Sequence, residues 1–392
     1  MASKRLSITI LVASQISVLS VWFSSAAVLA EMQDEAGLSS TDLAWLTTAV
    51  QLGFALGALG FAALGIADRF DSRRVFCLSA VIAAAANLGQ LAVPIGGAEA
   101  MFLRALTGAA LAGVYPVGMK IAVGWGKEDR GLLVGALVGA LTVGSASPHL
   151  IALMGGADWR ITIWVTTLIT MAGGAAMLTA GLGPFHARAP RLELAAIRLA
   201  WTDRRIRLAI LGYLGHMWEL YIFWAWVGVI AAQSYVLAGL ANTGDLAKLT
   251  AFLAVALGGM ACVICGRIAD RVGKARVSAW ILGLSAAAAM GTALAWGGPV
   301  WLVMGLLIVW GVLVVPDSPL FSALVADAAP PERAGSLMTL QTSIGFLLTA
   351  ITVQATPWLA GTFGWPLVLG AMGIGPVLGV VAMRTLMREG TR

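Results

Sequence analysis

Residues 65–74 read Gly65-Ile-Ala-Asp68-Arg69-Phe-Asp71-Ser-Arg73-Arg74, and residues 266–276 read Gly266-Arg267-Ile-Ala-Asp270-Arg271-Val-Gly273-Lys274-Ala-Arg276. Each is a short charged knot between two long apolar runs. Asp68 and Asp270 stand 202 positions apart. Lysine and arginine collect in the water-facing connections between membrane spans, and both knots have that make-up. The recurrence at the same relative place reads as one membrane unit duplicated.

Composition points the same way. Of 392 residues, 59% are hydrophobic and 11% charged, with a mean hydropathy of +0.90. An ordinary soluble domain carries about a quarter charged residues, so this chain is made for lipid. A span takes roughly 20 apolar residues, which leaves room for about twelve. The predicted spans are 7–30, 42–66, 75–94, 99–123, 131–153 and 161–183, then 208–235, 246–266, 276–297, 299–325, 335–355 and 364–386. The predicted fold is therefore all-α and integral to the membrane, in two six-helix, pseudo-symmetric halves. The first half is 1–184 and the second 208–392, joined by a basic connector, 185–207, with Arg188, Arg191, Arg198, Arg204, Arg205 and Arg207 against Glu193 and Asp203. The N-terminal run carries Ser14, Gln15, Ser17, Ser20 and Ser24 and is read as a retained first helix, not a cleaved leader.

With both termini in the cytoplasm, every Lys and Arg except Arg104, Arg160 and Lys248 falls on the cytoplasmic side of a plasma (inner) membrane. The pI of about 9.6 is spent between spans, not on one soluble face, and so does not suggest nucleic acid. Three cysteines make no disulfide framework. Cys262-Val-Ile-Cys265 has metal spacing but lies in an apolar span without a second ligand pair, so neither metal nor cofactor is expected. The glycine-rich strings lack G-x-x-x-x-G-K-[ST] and are read as small residues for close helix packing. Without a nucleotide site, the expected function is transport driven by a gradient, not an enzyme.

Smaller echoes support the duplication. Glu128-Asp129-Arg130-Gly131 is answered by Pro331-Glu332-Arg333-Ala334-Gly335, and with Arg130 on Arg333, Pro116 falls on Pro319. The two charged knots resemble the signature loop of the major facilitator superfamily, G-x-x-x-D-R-x-G-R/K-R/K. The second matches at Gly266, Asp270, Arg271, Gly273 and Lys274. The first keeps Asp68, Arg69 and Arg73, but Gly65 is one position close and Asp71 replaces the glycine. The resemblance implies gating loops there and two parallel halves with substrate bound near the midplane. Arg104-Ala-Leu-Thr107-Gly108 resembles that family's fourth-helix motif, with Thr107 where glutamine is common, and implies a proton-relay arginine. The fifth span, Gly144-Ser-Ala-Ser147-Pro148-His149, departs from the family's antiporter motif.

Ionisable groups within spans are costly and mark candidate function. The seventh span carries His216 and Glu219, three apart and so on one helix face, expected to contact each other. Asp317 stands in Val315-Pro316-Asp317-Ser318-Pro319, where two prolines break the tenth span. Glu219, Asp317, His216 and Arg104 are the expected proton-coupling groups. Arg104, Lys120 and His149, with the aromatics Tyr221, Trp224 and Trp226, are the expected substrate contacts. The whole predicts a monomeric proton symporter of a small organic anion. Proton-driven efflux of amphipathic compounds is the alternative within transport, and a non-transporting sensor or assembly protein the alternative outside it.

Overall fold

A computed structural model describes residues 3–126, 129–156, 158–186, 195–330 and 333–389, with the main chain only at Asp68, Arg130 and 195–197. Arg188, Arg191 and Glu193 of the connector, together with Glu128, Pro331 and Glu332, lie outside the described residues, as does the side chain of Asp68. Contacts divide the chain into two compact units, 1–189 and 190–392.

The first unit runs α1 (Lys4–Leu19), α2 (Leu29–Ala36), α3 (Ser40–Leu64), α4 (Ile66–Arg69), α5 (Ser72–Gly89), α6 (Ala98–Leu111), α7 (Tyr115–Trp125), α8 (Arg130–Gly155) and α9 (Trp159–Met177). The second runs α10 (Ala195–Thr202), α11 (Arg204–Leu237), α12 (Gly244–Val272), α13 (Lys274–Leu294), α14 (Val300–Leu313), α15 (Ser318–Ala328), α16 (Ala334–Phe363), α17 (Trp365–Met372) and α18 (Ile374–Glu389). Side-chain oxygens start the helices where the sequence supplies them. Ser39 and Asp42 form a reciprocal capping box on α3, and Asp71, Asp158 and Asp203 cap α5, α9 and α11.

Eleven of the expected twelve spans are long and apolar enough to cross a membrane. The exception is the first. Predicted continuous over 7–30, it stops at Leu19 and resumes as a short 3-10 turn and α2. Local chemistry explains the break: Ser20 Oγ donates to Ser17 O and Ser24 Oγ to Val21 O, giving the backbone an alternative to the helical ladder. The seventh span, its counterpart by sequence, is an unbroken helix of 34 residues.

The fourth and tenth spans each break once, at Ala112–Val114 and at Val314–Asp317. Pro116 and Pro319 occupy the same place, the second residue of α7 and of α15. A proline there loses nothing, because first-turn N–H groups have no partner within the helix, yet its ring keeps the preceding helix from running through. One further contact repeats at the same spacing. A Cβ on Gly108 of α6 would stand 2.0 Å from Val50 O of α3, and one on Gly311 of α14 would stand 2.1 Å from Ala254 O of α12. Only glycine admits these crossings.

The two charged knots are built differently. In the second, Gly273 sits at φ +99°, a conformation that needs glycine. In the first, Asp71 takes φ −60° and ψ 119°, open to any residue, and caps α5 by accepting from the Arg73 backbone N–H at 2.9 Å. Its carboxylate also receives the Arg73 guanidinium at 2.7 Å, which holds the acid down at about 2. Arg73 donates further to Ala180 O beyond α9. Replacement of the glycine by aspartate thus changes the connection and keeps it ordered.

Candidate functional site

The second unit gathers three ionisable side chains in its interior. His216 and Glu219 project from one face of α11, one turn apart. Asp317 arrives from the α14–α15 break, where Pro316 and Pro319 interrupt the span. His216, Glu219 and Asp317 are 0%, 1% and 1% exposed. His216 does not meet Glu219, as the i, i+3 spacing suggested. It meets Asp317, with Nδ1 3.0 Å from Oδ1. The approach lacks hydrogen-bond angles, and among the described residues neither imidazole nitrogen and neither Asp317 oxygen has a hydrogen-bond partner.

Glu219 turns instead to α14, where Trp310 Nε1 donates to Oε2 at 3.0 Å. Its Oε1 has no hydrogen-bond partner among the described residues. Ser285 of α13 stands beside this carboxyl without reaching hydrogen-bond geometry, and Asp317 is close enough for the two acids to feel each other. No Lys or Arg pairs with either acid among the described residues. Aromatic rings close the surroundings. Tyr213 and Phe321 lie 5.9 and 6.0 Å from the His216 ring, and Phe223 packs on Trp310 at 4.8 Å. Two carboxyl groups and one imidazole are thus buried together, where a charge left without hydrogen bonds is costly.

The first unit treats its buried charge in the opposite way. Arg104 is 0% exposed, and no acid pairs with it among the described residues. Its Nε donates to Leu46 O at 3.1 Å, one terminal nitrogen to Val21 O at 2.9 Å and Ser24 Oγ at 3.2 Å, and the other to Trp22 O at 2.6 Å. Four of the five guanidinium donors are thereby engaged, three of the bonds at the break in the first span. A neutral network continues from Ser24, whose one O–H is shared between Val21 O and Asn87 Oδ1, to the Asn87 amide, whose two N–H groups are shared among Ile163 O, Thr166 Oγ1 and Thr167 Oγ1. Thr107 donates to Leu103 O in its own helix.

The other expected contacts are scattered. Lys120 Nζ donates to Ala67 O at 2.6 Å, which ties it to the first charged knot. His149 is buried in α8 after Pro148. Tyr221, Trp224 and Trp226 are buried along α11: Tyr221 lies 5.6 Å from Trp224 and 5.0 Å from Phe346, and Trp226 donates to Val353 O. In the signature loops Arg69, Asp270 and Arg271 are exposed, and Lys274 pairs with Asp327 at the end of α15. Cys262 donates to Gly258 O within its own helix, and no cluster of metal ligands occurs among the described residues. Trp310 and Ser285 escaped the sequence reading because an indole or a hydroxyl in an apolar span gives no signal of which acid it will face. Asn87 and Gln90, two amides one turn apart in an apolar helix, did carry such a signal.

Comparison with known proteins completes the picture. The profile of the Major Facilitator Superfamily matches residues 10–353 and 249–391. The uncharacterized transporter YgaY of Escherichia coli strain K12 is 30% identical over 191 residues, 45% of this chain and 46% of that protein. The YgaY protein of E. coli O157:H7 is 30% identical over 141 residues, 34% of this chain and 33% of its own. The match thus spans less than half the length of either relative. Two solved structures share the fold at low identity. The nucleoside transporter NupG (D323A mutant) superposes with a TM-score of 0.74 at 15% identity, covering 98% of this chain and 100% of the other. A bacterial homologue of the human lysosomal transporter Spinster, inward-facing and occupied, gives 0.75 at 13% identity, covering 99% and 98%. The chain is a multi-pass membrane protein and belongs to the major facilitator superfamily.

Proposed function

We propose that the protein is a proton-coupled symporter of a small organic solute, with Glu219, Asp317 and His216 as the groups that take up and release the coupling proton. The observation that carries this reading is a pair of incompletely satisfied carboxyl groups inside one bundle, beside an imidazole and without a Lys or Arg partner among the described residues. Ionisable groups at membrane depth are retained at a cost, and proton relays are a recurrent reason. Arg104 and Lys120, expected to read an anion, both commit donors to backbone carbonyls. The proposal therefore no longer rests on an anionic solute. In the same reading the carrier is a monomer of the plasma membrane with both termini in the cytoplasm. Residues 1–184 and 208–392 are its two functional halves, 185–207 is their connector, and the two charged knots gate the exchange.

The test is flux into proteoliposomes under an imposed pH gradient, with sugars, nucleosides, small acids and amphipathic amines as solutes. Glu219→Gln or Asp317→Asn is expected to abolish gradient-driven accumulation, by ten-fold or more, while solute exchange at equal pH persists. Undiminished accumulation in both variants removes the acids from the mechanism. Proton-driven efflux is a second reading, favoured by the apolar aromatic group Tyr221, Trp224 and Phe346. An amphipathic amine leaving the vesicle as protons enter would select it. Absence of flux for every solute class would favour a non-transporting role.

A further inference from the structure

We infer that the charged end of the second unit holds a binding site for the phosphodiester headgroup of an anionic phospholipid. Five helix ends converge there around a cavity of about 670 Å³. Arg205 comes from the start of α11, Asp270 from the end of α12, Lys274 and Arg276 from the start of α13, and Asp327 from the end of α15. Leu324 and, from α18, Leu386 give the wall an apolar portion.

The charges of this cavity are unequally used. Lys274 is paired with Asp327. Arg205 and Arg276 have neither an acceptor nor an ion-pair partner among the described residues, although the neighbouring Arg204 is bound to Glu389 at 3.2 Å. Three cations against two carboxylates leave one positive charge. A singly charged phosphodiester neutralises that excess, whereas a zwitterionic headgroup does not. Two guanidiniums are the groups best shaped to take phosphate oxygens in pairs.

Location supports a lipid over a free phosphate ester. The lining residues stand at the termini of membrane spans, the depth at which headgroups lie. Trp201, 47% exposed on the short helix that leads into α11, is the kind of residue enriched at that interface. Basic pockets between spans at this level suit acidic headgroups, and the apolar wall offers a surface for the first acyl methylenes.

Native mass spectrometry of the full chain in detergent tests the assignment, with phosphatidylglycerol, phosphatidylethanolamine, phosphatidylcholine and glycerol 3-phosphate as probes. Phosphatidylglycerol is expected to be retained in preference to the other lipids, and glycerol 3-phosphate not to displace it. The double substitution Arg205→Gln/Arg276→Gln should weaken phosphatidylglycerol binding about 30-fold. Arg205→Lys/Arg276→Lys should recover part of it, which separates lost charge from lost folding. Arg5→Gln/Arg74→Gln, which removes two exposed charges from the first unit, should leave it unchanged. Equal retention of phosphatidylglycerol and phosphatidylcholine would overturn the site. So would an equal loss in the Arg5/Arg74 variant, which would make the attraction a diffuse surface effect. Displacement by glycerol 3-phosphate at comparable concentration would assign the cavity to a free phosphate ester instead.

Discussion

Both halves break a span beside a buried charge, and they settle the charge in opposite ways. In the first, the break after Leu19 frees the Val21 and Trp22 carbonyls, and Arg104 takes both together with Leu46 O. In the second, the break around Pro316 delivers Asp317 to His216 at 3.0 Å with no hydrogen bond made. The sequence repeat sharpens the contrast. At the spacing of 203 that sets Pro116 on Pro319, Arg104 falls on Leu307 and Asp317 on Val114. Each half carries an ionisable group where the other is apolar. A buried charge with its bonds made belongs to the architecture. A buried acid with its bonds unmade is the one to which the proposed function gives the proton.

The comparison breaks most visibly at Arg104. Arg104→Gln removes a charged donor from three buried carbonyls, a hydrogen bond of about 1.5–3 kcal/mol each. The expected loss is about 3–6 kcal/mol, read as a large fall in thermal midpoint or as failure to purify a single species. Arg104→Lys should restore part of it, since an ammonium reaches one or two of the same carbonyls. Asp317→Asn is expected to do the reverse. It removes the charge and keeps the volume, so the midpoint holds while gradient-driven accumulation is lost. If Arg104→Gln proved stable and inactive, and Asp317→Asn unstable, the two roles would have to be exchanged.

A smaller effect tests whether the halves are equivalent in packing as well as in sequence. A methyl on Gly108 or on Gly311 would collide with a backbone carbonyl at nearly the same distance. Each Gly→Ala substitution should therefore cost about 1–3 kcal/mol, and the two should agree within that range. A cost at Gly108 alone would mean that the α12–α14 crossing yields where the α3–α6 crossing does not.

Most of the fold was legible because lipid imposes a simple rule. Each span had to be an apolar run, and each connection had to gather charge, so 202-residue repetition and span positions could be read directly. The first span was misread because its apolar length is right. The break comes from Ser20 and Ser24 bonding to their own helix and from an arginine more than 80 positions away. Site residues were legible as ionisable groups in apolar runs, but their partners were not. Spacing offered Glu219 to His216, whereas the tertiary fold gave His216 to Asp317 and Glu219 to Trp310. Arg104 could be singled out as buried or interfacial. That its guanidinium would bond carbonyls at the break in the first span required knowing where that span stops.

The gentlest test lies at the ends of the spans away from the charged knots. Helices α9 and α17 each begin with a tryptophan, and each indole ties back to the opening span of its own unit. Trp159 Nε1 donates to Glu35 Oε2 at 2.8 Å, and Trp365 Nε1 to Gln233 Oε1 at 2.6 Å. One acceptor is a carboxylate and the other an amide, so only the first titrates. Hydrogen bonds from Arg160 and then from Trp159 hold the Glu35 acid at about 2 against an ordinary 4.5. An acid held low in the folded state stabilises above its unfolded value and loses that contribution as the pH falls toward the folded one. Glu35 is exposed, and ion pairs at such positions contribute little, so Glu35→Gln should lower the thermal midpoint only slightly at pH 7. The difference from the parent should narrow from pH 4.5 downward and nearly vanish by pH 2, while Gln233→Ala should cost the same at every pH in that range. A pH-independent difference for Glu35→Gln would show that the contact of α2 with α9 depends on packing, with the carboxylate incidental to it.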